Sequence, residues 1–131
     1  MVGIVLVSHT PKIAEGTLEL IKQMTGEKVI MEIAAGTCDN RLGTDPVLIG
    51  EKIRKADTGD GVIVIVDLGS SIMSTEVAIE SLEEPTRSRA AIADAPFIEG
   101  AIAAAMEASF GKGLQDVKNA AENTRGMKKI A

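Results

Sequence analysis

Few residues in this chain are equipped for chemistry, and they stand just after apolar runs. His9 is the one histidine. It follows Ile4-Val5-Leu6-Val7 and precedes Thr10-Pro11. An imidazole that leaves a buried strand beside the amides opening a helix stands next to a natural anion site, because those amides and the helix dipole favour negative charge. The same field disfavours an imidazolium and points to a neutral, nucleophilic ring. Such a ring beside an anion site suits a transient phosphohistidine. The bland alternative is a loop histidine that only caps a helix.

Asp67 ends a second apolar run, Val62 to Val66. It is placed to take up a hydrogen bond from one ring nitrogen of His9 and leave the other free to attack phosphorus. Its alternative is a turn or helix cap. Gly69, Ser70 and Ser71 follow, and their amides and hydroxyls are candidate phosphate donors, with Thr10 on the His9 side. Gly36 and Thr37, with Gly43 and Thr44, are candidates for a third wall, most of them shaping the turn. The expected site is therefore His9 and Asp67 as catalytic pair, with Thr10, Gly69, Ser70, Ser71, Gly36 and Thr37 around the phosphate.

Other chemistries fail on residue counts. One cysteine, Cys38, allows no internal disulfide and no cysteine-rich zinc site, and one histidine allows no multi-histidine metal site. No metal is expected. Cys38 lacks the spacing to Arg41 that a phosphatase cradle needs and reads as structural or incidental. Neither the dinucleotide GxGxxG nor the phosphate-loop GxxxxGK[ST] pattern is present.

These residues need elements to hold them. Val2–Val7 reads as a strand, with Thr10 capping a helix that opens at Pro11 and ends at Gly26. Lys28–Ala34 reads as a second strand, then Pro46 opens a second helix capped by Asp45. Val62–Val66 is a strand buried on both faces, as a parallel sheet requires. After a tight loop over 67–71, Ile72–Leu82 reads as a third helix. Arg87–Ala93 is a weaker strand, Pro96 opens an Ala-rich helix to Ser109, and Leu114–Asn123 is a last amphipathic helix. The alanine and methionine stripe at 101–106 reads as core or subunit contact. The tail after Arg125 is expected to be loose.

Strand followed by helix, four times, implies right-handed βαβ units and one doubly wound α/β domain over residues 1–131. The expected sheet is mainly parallel, four-stranded, in the order 2-1-3-4, with helices on both faces. Ligands of such sheets bind beyond the carboxyl ends of the strands where strand order reverses, here between strands 1 and 3, where His9 and Asp67 stand.

Composition narrows the partners. Lys and Arg number 14 against 19 Asp and Glu, a net charge of −5, which speaks against nucleic acid or an anionic membrane. Aromatics are 2%, with no Trp or Tyr, so there is no base-stacking platform. No apolar run approaches the ~18 residues of a membrane span, and the N-terminus lacks a signal-peptide pattern. A soluble, cytoplasmic protein is expected.

The blocks Gly3-Ile4-Val5-Leu6-Val7-Ser8-His9-Thr10, Ala14-Glu15-Gly16, Ala34-Ala35-Gly36-Thr37, Gly43-Thr44-Asp45, Val66-Asp67-Leu68-Gly69-Ser70 and Ala95-Pro96-Phe97-Ile98-Glu99-Gly100 together resemble the phosphotransferase subunit of the phosphoenolpyruvate-dependent dihydroxyacetone kinase. That group belongs to the mannose-class enzyme IIA fold of the sugar phosphotransferase system. Gly69-Ser70-Ser71-Ile72-Met73 is similar to the dihydroxyacetone version and not to the Gly-Gly-Ser-Pro of the mannose transporters. Thr10, Ser74 and Cys38 depart from the common pattern.

The resemblance implies that His9 accepts a phosphoryl group from the histidine phosphocarrier protein HPr. It would pass that group to ADP held by the nucleotide-binding kinase subunit. No cofactor of its own is implied, since the phosphate rides covalently on His9 and ADP stays on the partner. A homodimer is implied, and a stand-alone form, because the chain ends before any fused domain could begin. Two alternatives remain. One is a sugar-transporter IIA component. The other is a receiver-like module phosphorylated on Asp67, which would need an acidic pair where Ser8 and His9 stand.

Overall fold

A computed structural model describes residues 1–37, 39 and 41–131. The elements run β1 (Gly3–Ser8), α1 (Pro11–Thr25), β2 (Met31–Ala35), α2 (Pro46–Ala56), β3 (Val62–Val66), α3 (Gly69–Glu80), β4 (Ala90–Ile92), α4 (Phe97–Ser109) and α5 (Leu114–Asn123). The four strands form one sheet in the order β2-β1-β3-β4, and every pairing is parallel. The expected doubly wound α/β fold is thus the observed one.

The central strands explain the two layers. Successive side chains of a strand point to opposite faces. In β1 and β3 the larger residues, Ile4, Leu6, Ile63 and Ile65, all fall on one face, where they meet the small residues Ala101, Ala104, Ala105 and Ala108 of α4. The valines, Val5, Val7, Val62, Val64 and Val66, fall on the other face, against Ile49 and Ile53 of α2 and Ala78 of α3. Helices α1, α4 and α5 thus cover one face, and α2 and α3 the other. Each fully buried Ile or Val contributes about 1.5–3 kcal/mol. Ala101, Ala104, Ala105 and Ala108 are therefore core, whereas Met106 of the same stripe is exposed.

Close approach is enforced at Gly3, where a Cβ would stand 2.3 Å from the Ala56 carbonyl oxygen. Only glycine lets the end of α2 lie this close to β1.

Several boundaries differ from the sequence reading. Strand β2 starts at Met31 and not Lys28, because Gly26–Lys28 closes a 3₁₀ turn after α1. Helix α3 starts at Gly69 and not Ile72, so Ser70 and Ser71 belong to its first turn. Strand β4 is three residues long. The preceding Arg87–Arg89 is a 3₁₀ turn, in which the Ser88 N–H donates to Glu84 at 2.9 Å and Arg89 bonds Asp57 at 2.8 Å.

Candidate functional site

Strand register builds the site. Val7 of β1 pairs with Val66 of β3, and the next backbone bond, Asp67 N–H to the Val7 carbonyl at 3.2 Å, extends that ladder. The residues that follow, Ser8-His9 and Asp67, must therefore stand side by side. Ser8 also pairs with Ala35 of β2, and its carbonyl accepts the Gly36 N–H at 3.2 Å. Three strand ends converge on His9 in this way. Helices α1 and α3 leave on opposite sides of the sheet, and both of their N-termini open at this crevice.

Asp67 is the hub. Its Oδ1 accepts from His9 Nδ1 at 3.0 Å, from the Leu68 N–H at 2.7 Å and from the Ser71 hydroxyl. Its Oδ2 accepts from the Ser8 hydroxyl and the His9 N–H, both at 2.9 Å. Burial alone would raise its pKa. The Ser71 hydroxyl, the His9 and Leu68 amides and the His9 ring more than offset this, and hold the carboxyl down at about 2. Asp67 is therefore an anion at neutral pH, and an anion only accepts. The ring of His9 must then carry its proton on Nδ1, and the lone pair of a neutral ring lies on Nε2.

That lone pair faces outward. The His9 side chain is 27% exposed while Asp67 is 10% exposed. The Ser70 hydroxyl meets Nε2. Ser70 lies in the first turn of α3, where the Ser71 N–H already bonds the Leu68 carbonyl at 2.9 Å and the first amides of a helix have no partner within it. On the other side Thr10 is the N-cap of α1, with Pro11 at the first helical position. Two helix starts thus flank one exposed ring nitrogen, a setting that stabilises dianionic oxygens.

The expected residues divide on this geometry. His9, Asp67, Thr10, Gly69 and Ser70 stand together at the crevice. Ser71 differs from expectation: it is fully buried, and its hydroxyl is committed to Asp67, with Nδ1 at 3.3 Å. It faces the carboxylate and not the outward nitrogen. Thr37 turns its hydroxyl into its own loop, toward Asp39 and the Arg41 carbonyl. Gly36 shapes the turn at φ +75°, and a Cβ there would stand 3.3 Å from Pro11. Gly43 reaches the site through its backbone, its N–H bonding the His9 carbonyl at 2.9 Å. Thr44 ties this loop to α3 through Ser74 at 2.7 Å. Cys38 lies outside the described residues. Among the described residues, no group of three His, Cys, Asp or Glu side chains is arranged to hold a metal ion. No described helix is long and apolar enough to cross a membrane.

Sequence reasoning passed over Ser8. The available signal was a hydroxyl at the end of an otherwise apolar, fully buried strand, which must find a partner.

A cleft of about 600 Å³ opens beside Asp67, walled by Leu68, Ile72 and Glu76 on one side and Ile92–Ala95 on the other. His9 is not among the residues that line this cleft.

The family model of the PTS system fructose IIA component matches residues 3–118. Phosphoryl donor subunit DhaM of PEP-dependent dihydroxyacetone kinase 2 from Listeria innocua is 40% identical over 107 residues, covering 82% of this chain and 86% of that one. The corresponding subunit of Escherichia coli K12 is 37% identical over 120 residues. That of Klebsiella michiganensis is 34% identical over 133 residues. The chain spans only 25% and 28% of the length of these two relatives. The crystal structure of EF1359, a protein of unknown function, matches over the whole of both chains with a TM-score of 0.88 and 36% identity.

Proposed function

The chain belongs to the PTS system fructose IIA component family, in its group of DhaM-type phosphoryl donor subunits, and we propose that it carries the phosphoryl group on His9 Nε2. The observation that carries this reading is the pairing of His9 Nδ1 with an ionised Asp67 while Nε2 faces solvent between two helix starts.

The chemistry balances without an external base. Nε2 attacks the phosphorus of a phosphohistidine on the donor, the donor's P–N bond breaks, and its electron pair returns to the donor ring. The His9 ring, now bonded to phosphorus and protonated on Nδ1, becomes cationic. The Asp67 carboxylate, 3.0 Å from Nδ1, stabilises that charge. The Ser70 hydroxyl moves from Nε2 to a phosphoryl oxygen, and the Thr10 hydroxyl and the Gly69 N–H offer further donors. In the second half, a β-phosphate oxygen of ADP attacks and Nε2 leaves with its electron pair. Positioning and charge stabilisation supply the catalysis.

We take the donor to be HPr and the acceptor to be ADP on the nucleotide-binding kinase subunit, with the chain acting as one carrier domain in the cytoplasm and requiring no cofactor of its own. Exposed apolar side chains support docking of protein partners at this rim. Leu42, Val47, Leu68 and Met73 lie on the segments that abut His9, and each is more than 60% exposed. A homodimer would use surface other than the alanine stripe of α4, such as the open edge of β4. Phosphorylation on Asp67 is disfavoured, because both of its oxygens are occupied by protein donors.

The test is a chase. The protein is charged with phosphoenolpyruvate, enzyme I and HPr, freed of them, and mixed with the kinase subunit and ADP. Loss of one phosphate from the protein with matching appearance of ATP is expected, and nothing from His9→Ala. A charged protein that keeps its phosphate in the presence of ADP and the kinase subunit contradicts the acceptor assignment.

A further inference from the structure

The Ser8 hydroxyl is turned away from the phosphoryl path, yet it is fully buried at the end of β1. Both of its hydrogen-bonding roles are in use. Its proton goes to Asp67 Oδ2 at 2.9 Å, and its oxygen accepts the Thr10 N–H at 3.2 Å. The His9 N–H reaches the same Oδ2 at 2.9 Å. Two donors thus pin one carboxylate oxygen, and the plane of the group then delivers Oδ1 to His9 Nδ1 at 3.0 Å.

We infer that Ser8 is a positioning residue for phosphoryl transfer, holding Asp67 in the rotation that keeps His9 protonated on Nδ1 and bare on Nε2. The inference rests on the carrier role proposed for His9. The terminal torsion of an aspartate is broad and roughly two-fold, and without Ser8 the His9 N–H alone would hold Oδ2 against rotation, while the ring, the Leu68 N–H and Ser71 all draw on Oδ1. Ser71 cannot substitute, because its hydroxyl bonds Oδ1, the oxygen that already serves the ring. A hydroxyl in this strand is costly to bury unless partnered, and here both of its bonds run to the site: one to the carboxylate, one to the amide of the α1 cap. Ser8 therefore couples the start of α1 to the orientation of the ring.

Since His9 is the one histidine, a long-range ¹H–¹⁵N spectrum shows the ring nitrogens of that residue alone. The wild type is expected to show a slowly exchanging proton on Nδ1. Ser8→Ala, with an unchanged far-UV circular dichroism spectrum, is expected to exchange that proton faster. It should also accept phosphate from charged HPr with kcat lowered roughly tenfold and KM little changed. Ser8→Cys, of similar size but a weak donor, should show the same losses, and Ser8→Thr should restore both readouts. A folded Ser8→Ala or Ser8→Cys whose ring spectrum and kcat match the wild type overturns the inference. If the wild type accepts no phosphate, the carrier role fails, while the ring spectra still decide whether Ser8 holds Asp67.

Discussion

Asp67 gathers donors from both neighbouring segments, and its low pKa has a measurable cost at acid pH. In the folded chain its carboxyl titrates at about 2, below the ordinary 3.8. The native carboxyl binds its proton more weakly than the unfolded one, so unfolding takes up a proton at acid pH. The stabilisation is therefore complete above about pH 4 and is lost as pH falls through 2; a shift of this size is worth about 2 kcal/mol. Urea midpoints measured from pH 6 to pH 2 should fall less steeply for Asp67→Asn than for the wild type. The same variant should slow phosphate acceptance on the order of 100-fold, because an amide cannot neutralise the charged ring; an unchanged rate would remove Asp67 from the mechanism. At this scale the sequence was informative for His9 and Asp67, whose positions after apolar runs announce them. It placed Ser71 beside Ser70 at the phosphate, because the two are chemically alike. Only the helix turn decides that one faces Nε2 and the other is buried on the carboxylate.

The elements place these residues through register and close packing, and both are open to mutation. Gly3→Ala would drive a methyl group into the Ala56 carbonyl, 2.3 Å away. Backbone must shift to relieve it, at about 1–3 kcal/mol, and thermal unfolding should show that loss. Asp45 caps α2 by accepting the Val47 N–H at 3.0 Å. Asp45→Ala should cost about 1 kcal/mol of stability in denaturant titration and leave the His9 ring spectrum unchanged. Helices α1 and α2 were legible because proline opens each of them. The start of α3 was not: its cap is Leu68, whose side chain makes no capping bond, so no local signal marks Gly69. Strand β4 was overextended because Arg87–Arg89 is held by side-chain bonds to Glu84 and Asp57. Those residues lie up to 32 positions away, and a local pattern does not reveal them.

For the whole molecule, the parallel order β2-β1-β3-β4 was readable from strand–helix alternation, since right-handed crossovers leave few other arrangements. The role of α4 was not readable, because an alanine stripe serves a core and an interface equally well; the opposing Ile and Leu residues of β1 and β3 settle it as core. What remains outside is an apolar rim around an open site on an acidic chain, suited to partners that arrive as proteins. Met73→Glu alters an exposed residue of that rim. It should leave stability within about 0.5 kcal/mol of the wild type and raise KM for charged HPr several-fold; an unchanged KM would place docking elsewhere. The most direct test of the carrier role is the intact mass of wild type and His9→Ala after incubation with phosphoenolpyruvate, enzyme I and HPr. One added phosphate on the wild type, stable in base, lost in acid and absent from the variant, is the predicted result. Phosphate retained by a folded His9→Ala, or none on a wild type mixed with fully charged HPr, would contradict it.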